Sequence, residues 1–103
     1  MANWEIVVGD YGRVYRANIE DVDLSDCTAA ISVWNPKTNT TIIDAKACSA
    51  PVFDDPDSHV DFTPISGDFD VEPFVYKALI TFTKTGVVER TIPFTWEVFE
   101  GEP

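Results

Sequence analysis

At 103 residues, with 45% hydrophobic and 13% aromatic content, the chain has the length for one domain and enough apolar side chain to bury a core. That composition excludes a disordered polypeptide. Eighteen Asp and Glu against seven Lys and Arg give a formal net charge of -11. Such a surface repels phosphates and anionic headgroups, so neither nucleic acid nor membrane is expected as a partner; the acidity serves solubility, reflects a host with an acidic proteome, or meets a basic partner surface.

The predicted elements are all strands. Trp4 to Val8 is a short apolar strand, within a segment Ala2–Val8, and is closed by Gly9, Asp10 and Gly12. Arg13 to Ile19 alternates, with Tyr15, Ala17 and Ile19 on the core side. Glu20 to Asp26 is rich in turn-formers, and Thr28 to Trp34 resumes the alternation with Ala29, Ile31 and Val33 inward. Asn35-Pro36-Lys37-Thr38-Asn39 then stops that strand, because proline lacks the donor a ladder needs and asparagine favours turns. Thr40 to Cys48 follows, which makes the pair a hairpin. Ser49 to Ser58, with its prolines and aspartates, is expected to be an exposed loop, and His59 to Phe62 a short strand with Val60 and Phe62 inward. Thr63 to Pro73 is punctuation with room for one helical turn. Val75 to Phe99 is a hairpin around Lys84-Thr85-Gly86. Tyr76, Ala78, Ile80 and Phe82 share one face of its first strand, and Phe94, Trp96 and Val98 share one face of its second. The tail Glu100–Pro103 is expected to fray.

About seven short strands separated by turn signals, with no helical periodicity, predict an all-β chain folded as one immunoglobulin-like antiparallel β-sandwich over residues 1–103. No apolar run approaches the roughly 20 residues of a membrane-spanning helix. Met1–Glu5 carries no basic region leading into an apolar segment, so no signal peptide is expected and synthesis in a cytoplasm is.

Little in the chain carries chemistry. The single histidine, His59, follows Ser58 in a strand, where adjacent side chains point to opposite faces and cannot act as base and nucleophile. Cys27 has inward parity and neither cysteine lies in a metal-binding spacing; Cys27 and Cys48 are expected to be free structural thiols, the alternative being one disulfide in an oxidising compartment. Three acidic groups stand out: Glu20, Asp21, Asp23 and Asp26; Asp54, Asp55 and Asp57; and Asp68, Asp70 and Glu72. None has the spacing and glycine of an EF-hand, so solvated turns are expected and no metal or other cofactor is. Trp34 and Phe99 are out of phase with their buried neighbours and are expected to face outward, as contacts for a protein neighbour or, alternatively, a sugar. With them, the outward residues Lys77, Leu79, Thr95 and Glu97 form the candidate interface.

Val22-Asp23-Leu24-Ser25 ahead of a strand, the Asn35-Pro36-Lys37 turn, Val60-Asp61-Phe62-Thr63-Pro64, Tyr76-Lys77-Ala78 and Phe94-Thr95-Trp96-Glu97-Val98 appear in that order. Across nearly its whole length the chain resembles the N-terminal immunoglobulin-like domain of the upper baseplate proteins of tailed bacteriophages. Those domains place a glycine about one residue before the tyrosine, where Glu72-Pro73-Phe74-Val75 stand here. The resemblance implies a non-enzymatic module, without a cofactor, that docks onto other virion proteins of the tail or baseplate in a symmetric multi-copy assembly. The expected location is therefore the virion, assembled in the host cytoplasm. The alternatives are capsid decoration on the head and binding of host glycan. It also implies a tyrosine-corner hydrogen bond from Tyr76 to the preceding turn, a structural role.

Overall fold

In the computed structural model, which describes residues 4–101, the alternations of the sequence become eight strands and no helix among the described residues. They are β1 (Trp4–Val7), β2 (Tyr15–Ile19), β3 (Thr28–Trp34), β4 (Thr41–Ala47), β5 (Val52–Asp54), β6 (Asp57–Phe62), β7 (Phe74–Lys84) and β8 (Val87–Phe99). Five of them form one sheet in the order β1-β8-β7-β3-β4, and three form a second in the order β2-β6-β5. The chain is an all-β sandwich. The beginning of Ala2–Val8 and the end of the tail Glu100–Pro103 lie outside the described residues.

Period two sets which side of each strand is buried. Ala29, Ile31 and Val33 on β3, Tyr76, Ala78, Ile80 and Phe82 on β7, and Phe94, Trp96 and Val98 on β8 face the second sheet, which supplies Tyr15, Ala17, Ile19, Val60 and Phe62. Trp96, with none of its surface exposed, is the hub. Its ring centroid lies 4.5 Å from that of Phe69, 4.8 Å from Tyr15, 4.9 Å from Trp4 and 6.0 Å from Phe62. The Trp4 and Phe62 rings meet it edge to face, at 87° and 88°, the arrangement that ring quadrupoles favour. Its Nε1 has no hydrogen-bond partner among the described residues.

Several sequence expectations are corrected. The sheet is not wholly antiparallel: β1 runs parallel to β8, with Trp4 beside Trp96 and Val7 beside Phe99. The first strand therefore pairs within its own sandwich, and Val8 N donates to Phe99 O at 2.8 Å to extend the pairing. The expected loop Ser49–Ser58 contains β5 and the start of β6, an antiparallel pair joined across Asp55-Pro56. Proline lies between those strands rather than in either, so the ladder loses no donor. Of that pair only β5 is new, and it brings the expected number of about seven strands to eight among the described residues. The segment Thr63–Pro73 makes turns instead of a helical turn. Asp68 N bonds Ile65 O at 3.1 Å while Asp68 Oδ2 accepts from Ile65 N at 2.9 Å, a mutual closure that caps the turn locally.

The β7–β8 hairpin turns at Thr85-Gly86, both at positive φ (50° and 76°), the condition for the two-residue type I′ loop that matches strand twist. At the other end of β7, Tyr76 donates its hydroxyl to Glu72 O at 2.7 Å, so the expected tyrosine-corner bond is present.

Candidate functional site

The candidate residues Trp34, Lys77, Leu79, Thr95, Glu97 and Phe99 are separated by up to 65 positions in sequence (99 minus 34). They converge because all have the parity opposite to the core on neighbouring strands of the larger sheet. Lys77 stands between Trp34 on β3 and Thr95 on β8; Leu79 stands between Ser32 and Pro93; Glu97 stands between Val75 on β7 and Glu5 on β1. The result is one outward face across the three inner strands β8, β7 and β3, continued by Glu5 on the edge strand β1, with no element packed over it among the described residues. An antiparallel sheet packed on one side leaves its other side to solvent or to a partner.

The six are not equally accessible. Lys77 and Phe99 are exposed, whereas Leu79, Thr95, Glu97 and Trp34 are half-buried. Trp34 faces outward as its parity implies but is half-buried, not fully exposed: Lys77 on one side and Thr41 on the other flank it, and a large ring lying between two strands loses surface to both.

Sequence reasoning missed the residues that complete the face at the Phe99 end. Val7 (36% exposed), Phe99 (40%) and Val75 (46%) form an apolar ridge there. An apolar depression of about 390 Å³, lined by Pro73, Phe74, Val75 and Phe99 with Glu97 and Glu100 at its rim, lies on one side of Phe99. On the other side a cleft of about 260 Å³ runs along β1 between Glu5, Val7, Asp10, Tyr11 and Arg13. Val75 shares parity with Lys77 and was legible in that sense; Glu5 and Val7 were not, because the parallel pairing of β1 has no local signature.

The free edge of β1 beside that cleft is closed. Glu5 O accepts from the Tyr15 hydroxyl at 2.7 Å and Val7 O from Asp10 N at 3.0 Å. Two carbonyls that an incoming strand would use are already occupied, so this edge is guarded against strand addition. Burial pushes the Tyr15 phenol above its ordinary value, with Arg13, whose guanidinium lies 5.7 Å from the ring centroid, acting in the opposite direction.

Several polar and charged side chains elsewhere tie turns to strands. Ser58 Oγ, 1% exposed as a residue, donates to Val22 O at 2.7 Å and accepts from Leu24 N at 2.9 Å, locking the acidic turn onto β6. Asp57 accepts from Asp21 N, and Asp23 accepts from Ser25 N and Oγ; the hydrogen bonds from Ser25 hold the Asp23 carboxyl below its ordinary range. Asp68, expected to be solvated, is instead an anchor, half-buried and bonded through both oxygens to Lys46 Nζ at 2.8 and 2.9 Å. Among the described residues no group of three or more His, Cys, Asp and Glu is placed to hold a metal ion. Cys27 and Cys48 are free thiols, and burial pushes Cys48 up to about 11.

Comparison with protein-family models, curated proteins and solved structures finds no match.

Proposed function

We propose that the chain is a non-enzymatic docking module of a tailed-phage virion, seated in the tail or baseplate and present in symmetric multiple copies. The observation that carries the reading is the convergence of Trp34, Lys77, Leu79, Thr95, Glu97 and Phe99 on one uncovered sheet face. Of its residues, the aromatic Trp34 and Phe99 are of the kind enriched at protein contacts.

The order of the strands supports an immunoglobulin-like reading. One sheet holds the second, sixth and fifth strands, and the other the eighth, seventh, third and fourth, as in an immunoglobulin sandwich with an added edge strand, except that the first strand joins the eighth instead of the second. The bond from Tyr76 to Glu72 O sits at the start of the seventh strand, where such a sandwich places its tyrosine corner. Ala78 stands two residues on, where antibody domains carry a cysteine. A small module of this kind gains avidity from repetition, because linked copies bind a symmetric assembly more strongly than any one contact would.

Half-burial of Trp34 reduces the ring face open to a sugar, which favours a protein neighbour over a glycan. Mass spectrometry of purified particles tests the reading. A few to a few tens of copies per particle is the expected outcome. On the order of hundreds would move the module to the capsid surface as a decoration protein, and absence from particles would defeat the virion reading. A glycan array, with no signal expected, separates it from the sugar-binding alternative.

A further inference from the structure

The Phe99 end of the outward face has a charge pattern unlike the rest of it. Glu5 on β1 and Glu97 on β8 are direct partners in the parallel register, so two carboxylates project side by side from strands about 4.8 Å apart. Glu100 lies at the rim of the adjoining depression and Asp10 in the adjoining cleft. None of these four makes an ion pair among the described residues, where the cations so engaged are Arg16, Lys46 and Lys84. Two cations that make no ion pair among the described residues adjoin them: Lys77, one step diagonally from Glu97, and Arg13, which lines the cleft with Glu5 and Asp10 and lies over the Tyr15 ring. Beside the paired carboxylates stand the exposed apolar side chains of the ridge, Val75 across from Glu97 on β7 and the Val7–Phe99 pair two residues further along β1 and β8.

Like charges placed directly opposite each other destabilise a sheet, and exposed apolar side chains gain free energy when covered. One kind of occupant relieves both. We propose that this end of the face binds a protein segment presenting an aromatic or aliphatic side chain beside an arginine or lysine. The apolar group seats against Phe99 and Val75, and the cation lies between Glu5 and Glu97. Arginine suits the position best, since its planar fork presents donors to carboxylates on two adjacent strands at once. The chain's net charge of -11 steers such a segment toward it and repels acidic ones. This inference rests on the docking reading above and adds the chemistry of the partner.

The test is selection of a random peptide library, displayed on yeast, against the intact protein at low ionic strength. Enriched peptides are expected to pair Arg or Lys with an aromatic or aliphatic residue and to lose at least tenfold in affinity as salt is raised from low to high. They are expected to lose at least tenfold again against the Glu5→Gln/Glu97→Gln variant, which keeps side-chain shape and removes both charges. Amide shifts in the labelled wild-type protein should cluster at Val7, Val75, Glu97 and Phe99. Peptides lacking a basic residue, binding indifferent to the two substitutions, shifts centred elsewhere, or no enrichment at all would each overturn the inference. The docking reading fails separately, on the absence of the wild-type protein from particles.

Discussion

Replacing Glu97 with glutamine is expected to make the protein more stable, an unusual direction for a substitution in a central strand. Glu97 and Glu5 are paired in register on the outward side, with strands about 4.8 Å apart and no cation bonded to either among the described residues. In water two unit charges about 6 Å apart repel by roughly 0.7 kcal/mol, and cross-strand pairs contribute about 0.2–1 kcal/mol. The Glu5 side chain is exposed and can lean away from Glu97, which is half-buried, so the lower part of that range applies, about 0.5 kcal/mol. For a chain of this size that corresponds to a rise in Tm of about 2–4 °C. The assay is thermal unfolding of wild type, Glu97→Gln, Glu5→Gln and the double variant at low salt, repeated near 1 M salt, where the screening length shrinks to about 3 Å. Each single variant should show most of the gain. The double variant should add little, because one charge removed already ends the repulsion. A neutral or destabilising Glu97→Gln at low salt would refute the electrostatic premise, as would a gain that persists unchanged at high salt.

Ser58→Ala should destabilise by about 2–3 kcal/mol, since it orphans both Leu24 N and Val22 O beside a buried side chain; chemical denaturation measures it, and a cost near zero would remove the clamp assigned to this hydroxyl. Tyr76→Phe should cost about 1 kcal/mol, at the modest end because the freed Glu72 carbonyl belongs to an exposed residue and can find water; equilibrium unfolding reads it. The Asp61 carboxyl is held below its ordinary range by the hydrogen bonds from Arg16. Its folded value is thus depressed, so its contribution to stability is present above the ordinary carboxylate range and is lost as pH falls through the folded value. Asp61→Asn should flatten the acid limb of the stability profile below about pH 4 while leaving its neutral limb nearly parallel to wild type; an unchanged acid limb would count against the pair.

Alternation exposed most of the fold directly. Wherever apolar and polar residues exchange every second position, as from Thr28 to Trp34 and from Val75 to Phe82, burial in the structure follows parity without exception. It failed where burial does not come from a strand. Phe69 sits between Asp68 and Asp70 in a segment that reads as turn, yet it is 1% exposed and lies 4.5 Å from the Trp96 ring. What places it there is non-local: Gly9 N reaches Phe69 O at 2.9 Å and Lys46 clasps Asp68. Pro64, among the most deeply buried side chains, is fixed in the same way by Gly12 N at 2.8 Å. A proline- and aspartate-rich run also hid β5, whose residues are exposed and so carry no burial pattern to read.

The candidate face was half legible for a related reason. Parity alone selects the outward residues of β3, β7 and β8, but which strands are neighbours decides whether those residues meet. The hairpin of β7 and β8 is implied by its short loop, and the adjacency of β3 to β7 is not, since 39 residues separate Trp34 from Phe74 (73 minus 34). The pairing of β1 with β8 is less visible still, because it is parallel and joins the two ends of the described chain. Yet that pairing creates the most distinctive chemistry on the face, by setting Glu5 beside Glu97 and Val7 beside Phe99. Had β1 been absent, Phe99 would end an ordinary edge strand and Glu97 would carry a single solvated charge. The long-range step that sequence periodicity does not encode is the one that turns scattered outward residues into an apolar ridge flanked by paired carboxylates.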